Sequence, residues 1–316
     1  MYIAVILFHF ICVFLGHKYS KAMATNLSLF LSIILLLLVI QLIRGHSFKS
    51  FQHLEGSQGS NSERTARDQM INHYLSAFGY LKLNHSIGLS KYDHASVKDK
   101  DEFDEHLERA IKSFQKNFNL NVTGRLNSST LNEMMTPRCG VTDDDNMSPN
   151  YAFFNGKPKW DKNYLTYTFD SSVTPEVLEK LRPAVQQGFE EWLKWTQFTF
   201  AEARQGSKSD IVIGYYRGWH GDDQPFDGPG KVIAHSFPPT MGKMHFDADE
   251  NWSIDKPKGN QIDMVSVATH EIGHILGLQH SKDVNAIMYP FLNFGMTKRE
   301  LSHDDIDGVL ALYGTP

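Results

Sequence analysis

The chain has 316 residues, 31 Lys and Arg against 36 Asp and Glu, and a formal net charge of −5. That length supports one or two domains with a real core, and the mild acidity argues against a nucleic-acid partner, which selects a basic excess. Two cysteines in the whole chain exclude a disulfide-stapled scaffold.

Met1 to Gly16 is almost wholly apolar, Lys18 and Lys21 interrupt, and Leu27 to Ile43 forms a second, Leu-rich run. An apolar stretch behind a weakly basic start reads as a secretory leader over residues 1–46. Two such runs in succession fit a true start at Met23, with residues 1–22 as an upstream extension. The alternative is an uncleaved signal anchor, because the second run approaches spanning length. Residues 47–66 are rich in Ser, Gly, Gln and Asn and read as a linker. A helical unit follows over 67–136. Met70, Tyr74, Leu75 and Phe78 share helical spacing, as do Leu107, Ile111, Phe114 and Phe118. Asn121 to Arg125 is a turn, and Ser129 to Met135 a short third helix stopped by Pro137.

Residues 137–150 join this unit to a domain of different texture over 151–316. There, Leu165–Phe169, Phe198–Ala201, Ile211–Tyr215, Val232–Phe237 and Met244–Asp247 read as strands. One long helix interrupts them, with Thr174 as N-cap, Pro175 at its first position and a stripe of Leu178, Leu181, Val185, Phe189 and Trp192. Two more helices lie around His270 and from Ser302 to Leu312. The class is α+β.

Residues 270–280 read His-Glu-Ile-Gly-His-Ile-Leu-Gly-Leu-Gln-His. His270 and His274 project from one helix face one turn apart, so both imidazoles reach one zinc ion. Glu271 lies beside them as a general base. Gly277 permits a sharp turn, after which His280 supplies a third ligand. Three protein ligands and one open position are the pattern of catalytic zinc. This extended motif with a downstream methionine, here Met288 in Ala286-Ile287-Met288-Tyr289-Pro290, is the metzincin signature. Ser281, directly after the third histidine, is similar to the matrixin branch of that clan.

Cys139 lies in Pro137-Arg138-Cys139-Gly140-Val141-Thr142-Asp143, a polar segment where an arginine neighbour favours a thiolate. This resembles the cysteine switch of matrixin propeptides, with Arg138, Cys139, Gly140 and Asp143 in place and Thr142 where the family usually has proline. The resemblance runs from Arg67 to Tyr313. Phe114 to Leu120, with Thr123-Gly124 and Thr130-Leu131, is especially similar to plant-type members. The implied fold is a metzincin catalytic domain, a twisted five-stranded sheet with three helices, behind a small three-helix peptidoglycan-binding-like propeptide. The end at Pro316, just after the last catalytic helix, implies no hemopexin domain and no tail for a lipid anchor.

The resemblance implies that Cys139 takes the fourth position on the catalytic zinc in a latent form, held there by pairing of Arg138 with Asp143. It makes His220, Asp222, His235 and His245 the ligands of a second, structural zinc; three histidines and an aspartate close a tetrahedral site. Carboxylates beside a Gly-rich turn suit calcium. The family pattern assigns Asp227, Asp247 and Glu250 to it through side chains, and Gly228, Gly230 and Val232 through carbonyls. A second calcium site in the family would use Asp210 and an aspartate where this chain has Lys243. Ala234 would offer its carbonyl near the reacting centre, while Ser266, Met288, Tyr289 and Pro290 would shape the pocket for the side chain after the cut bond. A small residue at 266 implies a roomy pocket for Leu, Ile or larger apolar groups. Asp304 would pair with a new N-terminus, and Asp305 would support the methionine turn.

The implied activity is endopeptide hydrolysis of extended polypeptides by a secreted, monomeric enzyme of the extracellular or cell-wall space. Its own propeptide is the inhibitor, and activation is by cutting between Asp145 and Phe154. Glycosylation sequons at Asn84, Asn121, Asn127, Asn146 and Asn251 agree with secretion. The rival reading, a catalytically silent binder of cell-wall polymer, leaves the intact Glu271 and three histidines without a purpose.

Overall fold

The computed structural model describes residues 61–81, 97–143 and 150–316, all within one compact unit, Glu55–Pro316. The leader, the sequons at Asn84 and Asn146, and residues 145–149 of the expected activation stretch lie outside them. Among the described residues no helix is long and apolar enough to cross a membrane.

The helical unit comprises α1 (Asn61–Ala77), α2 (Val97–Asn117) and α3 (Ser128–Met135). α1 starts inside the stretch read as linker, and α2 starts eight residues before Glu105. Apolar spacing marks only the turns that pack, so it gives no signal for the ends of either helix. Ile71, Leu75 and Phe78 of the first segment meet Ile111, Phe114 and Phe118 of the second and Met134 of the third. The buried Gln115 secures the turn between α2 and α3. Its Oε1 accepts from Thr123 N and Gly124 N, both at 2.9 Å, and its Nε2 donates to Arg125 O and Thr130 Oγ1, also at 2.9 Å. Asn127 caps α3 by accepting from Thr130 N at 2.9 Å.

The chain then forms β1 (Arg138–Cys139), β2 (Ala152–Phe153), β3 (Tyr164–Phe169), α4 (Pro175–Leu193), β4 (Thr199–Glu202), β5 (Ile211–Tyr216), β6 (Val232–Ser236), β7 (Lys243–Asp247), β8 (Trp252–Ser253), β9 (Ile262–Asp263), α5 (Met264–Ile275), β10 (Leu278–Gln279) and α6 (His303–Tyr313). The five anticipated strands appear within one or two residues of their expected bounds. The main sheet nevertheless has six strands, in the order β1-β6-β7-β5-β3-β4. The sixth is β1, contributed by the segment before the domain and laid parallel to β6. β6 runs antiparallel to β7, and the remaining pairs are parallel.

Thr174 caps α4, accepting from Val177 N, and the helix buries Leu181, Val185, Phe189 and Trp192 against the sheet and α5. Every residue of α5 is buried. Its apolar residues sink into the core, and its polar ones are thereby forced to find partners or ligands. α6 closes the domain with a capping box in which Ser302 and Asp305 bond each other's backbone N–H.

Candidate active site and metal centres

Asp263 starts α5 by accepting from Ser266 N at 3.1 Å, and Arg299 grips the same carboxylate with Nε at 2.8 Å. One turn on, the helix presents His270, Glu271 and His274. The chain reverses at Gly277, whose φ of +101° and whose virtual Cβ, 2.4 Å from Pro158 O, exclude any side chain there. His280 returns to within 4.8 Å of the His274 ring and 5.4 Å of the His270 ring, centroid to centroid. His270 Nδ1 meets Ile287 O at 2.7 Å, His274 Nδ1 meets Leu278 O at 2.8 Å, and His280 Nδ1 meets Asp143 Oδ1 at 2.8 Å. Each acceptor fixes the Nδ1–H tautomer and leaves Nε2 as a lone pair. His270 Nε2 and His280 Nε2 are buried with no hydrogen-bond partner among the described residues. Burial, then neighbouring imidazoles, hold His270 and His274 well below their usual pKa, so they stay in the neutral, ligating form.

Cys139 completes this set. Its Sγ lies 3.4 Å from His274 Nε2, and one ligand atom from each of Cys139, His270, His274 and His280 lies within 4.8 Å of all the others. Orphaned buried nitrogens converging with a thiol suit a zinc ion. The thiol is enclosed by its surroundings. It is 3% exposed, and burial and the facing Glu271 raise its pKa well above the usual value. Without a cation the site favours the thiol, so the neighbouring Arg138 alone does not produce a thiolate.

β1 holds Cys139 in place. Arg138 N donates to Lys231 O (2.6 Å) and Gly140 N to Ala234 O (2.7 Å) on one side, while Cys139 N donates to Pro290 O (2.9 Å) on the other. A Cβ on Gly140 would fall 2.7 Å from Val232 Cγ1, so only glycine permits this approach. Arg138 is fully buried. Its guanidinium bonds Asp143 at 2.8 Å and stacks on Phe78, 3.6 Å from the ring centroid. The helical unit continues this contact through Phe118, which meets Phe291 edge to face at 4.8 Å.

Glu271 is fully buried beside the cluster. Burial raises its pKa to about 7, with Ser236 and Cys139 opposing. The cleft in front of it is lined by Ser266, Val267, Ile287, Tyr289, Pro290 and Lys298, among others. Of the anticipated pocket residues, Ser266, Tyr289 and Pro290 line it. Ala234 and Met288 do not line it; the Ala234 carbonyl is taken up by Gly140 N. Met288 turns into the core under α5, where a Cβ on Gly273 would fall 2.2 Å from its sulfur. Asp305 fixes that turn by accepting from Ile287 N (2.8 Å) and Met288 N (3.0 Å). Lys298 was not anticipated. Its backbone N donates to Ser266 Oγ at 2.7 Å and its Nζ to Val284 O and Ala286 O, which closes the pocket end. It lies 32 residues from Ser266, so spacing carried no signal.

The second histidine cluster is equally convergent. Asp222 Oδ2 lies 2.9 Å from His220 Nε2, 2.7 Å from His235 Nε2 and 2.8 Å from His245 Nδ1, and these four residues also place ligand atoms within 4.8 Å of one another. β6 supplies His235 and β7 supplies His245, paired directly across the ladder. Asp227, Asp247 and Glu250 do not form such a cluster. Asp247 Oδ2 is nevertheless buried without a partner among the described residues. Burial and then neighbouring carboxylates raise Asp247 to about 7 and Glu250 to about 8, as expected where carboxylates crowd together away from water. Asp210 is engaged otherwise: Lys162 Nζ sits 2.7 Å from its carboxylate.

Comparison with known proteins agrees with this geometry. Residues 159–314 match the family profile described as Matrixin, and residues 66–134 match a putative peptidoglycan binding domain. Metalloendoproteinase 1 of Glycine max is 41% identical over 228 residues, covering 68% of this chain and 75% of that protein. Metalloendoproteinase 1-MMP of Arabidopsis thaliana is 39% identical over 258 residues, covering 77% and 68% respectively.

The chain belongs to the matrixin family.

It is a metalloendopeptidase of that family. Neutrophil collagenase of Homo sapiens is 42% identical over 209 residues, which span 65% of this matrixin and 43% of the human protein. In this matrixin the peptidoglycan-binding-like unit packs its aromatic core onto the catalytic domain through Phe291, Tyr289 and Val232.

Proposed function

We propose that this matrixin is a secreted zinc endopeptidase made as a latent zymogen, with Glu271 as general base. The observation that carries this reading is the convergence of the Cys139 thiol and three imidazoles beside a buried carboxylate. His270, His274 and His280 would hold the catalytic zinc, with Cys139 as fourth donor in the latent chain. Zinc, when bound, supplies Lewis acidity that polarises a carbonyl and acidifies water. Glu271, with a pKa near neutrality, takes a proton from the attacking water and delivers it to the leaving amine. An extended polypeptide would add to the edge of β6 once β1 has left, with Ala234 O and Pro290 O free to accept its N–H groups.

The pocket beside Ser266 and Tyr289 would receive Leu, Ile or a larger apolar group. His220, Asp222, His235 and His245 would hold a structural zinc, and Asp227, Asp247 and Glu250 a calcium with carbonyls of Gly228, Gly230 and Val232. The apolar leader and the sequons support an extracellular, glycosylated product. The test is cleavage of a quenched peptide by the activated protein. Cleavage should vanish with a zinc chelator and return with added zinc; cleavage that persists in the chelator would contradict the reading.

A further inference from the structure

The three imidazoles of the active site are not oriented alike. His270 and His274 give their Nδ1–H groups to Ile287 O and Leu278 O, backbone carbonyls of the catalytic domain itself. His280 gives its Nδ1–H to a carboxylate, Asp143 Oδ1, at 2.8 Å, and Asp143 belongs to the segment that the proposed activation removes. The same oxygen accepts from Arg138 Nη2 at 2.8 Å, and the other oxygen accepts from Tyr80 hydroxyl at 2.7 Å. Tyr80 in turn accepts from Asn117 Nδ2 at 3.2 Å. Asp143, Arg138, Tyr80, Asn117 and His280 are all buried. A carboxylate beside a buried guanidinium is ionised and only accepts, so His280 must carry its proton on Nδ1 and turn Nε2 towards the Nε2 atoms of its neighbours.

We propose that Asp143 is a positioning residue for the zinc site, holding His280 as a ligand from within the pro-segment, so that the latent chain retains its metal more tightly than the thiol alone would achieve. The proposal rests on reading His270, His274 and His280 as the zinc ligands. A carboxylate partner orients a ligating imidazole and raises its basicity, and loss of such a partner costs about 10- to 100-fold in metal affinity. The pro-segment then has two contacts with the metal site. Cys139 fills the fourth position, and Asp143 secures the third ligand. Tyr80 and Asn117 tie that second contact to the helical unit, so the fold of the unit bears on the geometry of a metal ligand.

The experiment uses the full chain carrying Glu271→Gln, to prevent self-cleavage, with Cys139 retained so that the pro-segment stays docked. Zinc release into a chromogenic chelator is timed in this parent and with Asp143→Asn or Tyr80→Phe added. A parent carrying His270→Ala identifies the release phase of the catalytic ion. If no phase depends on His270, the reading of the zinc ligands fails and this proposal with it. Given that phase, Asp143→Asn should speed it by about 10- to 100-fold, and Tyr80→Phe should speed it less, since it leaves the Asp143–His280 bond in place. An unchanged rate overturns the proposal. Equal acceleration by both substitutions also overturns it, because loosened docking would then account for the effect. Nitrogen-15 histidine spectra of the zinc-loaded parent give a readout that does not depend on Asp143→Asn folding. His280 should carry a slowly exchanging Nδ1 proton, and its absence would contradict the proposal.

Discussion

The two histidine clusters use similar donors and differ in where the last donor comes from. In the cluster of His220, His235 and His245, the carboxylate of Asp222 lies two residues from His220, and β6 and β7 fix the other two rings. In the cluster of His270, His274 and His280, the fourth donor is Cys139, brought from more than 130 residues away on a two-residue strand. The first set closes with the fold of the domain; the second closes only while the pro-segment is docked. On the proposed assignment, ligand proximity in sequence separates a permanent site from one that can be opened.

The largest effect that would sharpen this contrast is at Glu271. Glu271→Gln should lower kcat by about 10²- to 10⁴-fold with zinc content unchanged, measured on quenched peptide and by metal analysis. Retained activity would break the general-base assignment. At the permanent site, Asp222→Ala should release one equivalent of zinc and leave latency intact. A loss of about 3 kcal/mol, as for breaking a buried charged group's pairing, corresponds to a fall in Tm of roughly 6–12 °C. Full zinc retention would contradict the assignment.

Smaller effects are expected at the acidic turn. With cations removed, Asp247 and Glu250 titrate near 7 and 8 in the folded chain, above ordinary unfolded carboxylates. The folded chain therefore binds more protons than the unfolded one between roughly pH 4 and 8, and stability falls as pH rises through that window. Tm of the chelated protein should decline from pH 5 to 8 and then level, and added calcium should abolish the decline. A calcium-insensitive Tm at pH 8 would remove the calcium assignment.

The convergence of His270, His274 and His280 was legible because two of them repeat along one helix face, and Gly277 announced the turn that returns His280. The strands of the sheet were legible from β-branched and aromatic runs. β1 was not, since two residues carry no periodicity and their partners, Lys231, Ala234 and Pro290, are remote. The burial of Cys139 was hidden for the same reason. A segment that is polar in sequence becomes buried when Arg138 lies between Phe78 and Phe291. Met288 and Lys298 show the converse, as positions near the site whose side-chain directions are set by Gly273, Val284 and Ala286.

The central claim is that Cys139 closes the active site. Its most direct test is peptide hydrolysis by the full-length chain and by Cys139→Ser, freshly folded with zinc and without added protease. The wild type should be silent and Cys139→Ser should cleave at once. A Cys139→Ser chain that binds zinc and is as silent as the wild type would contradict the account.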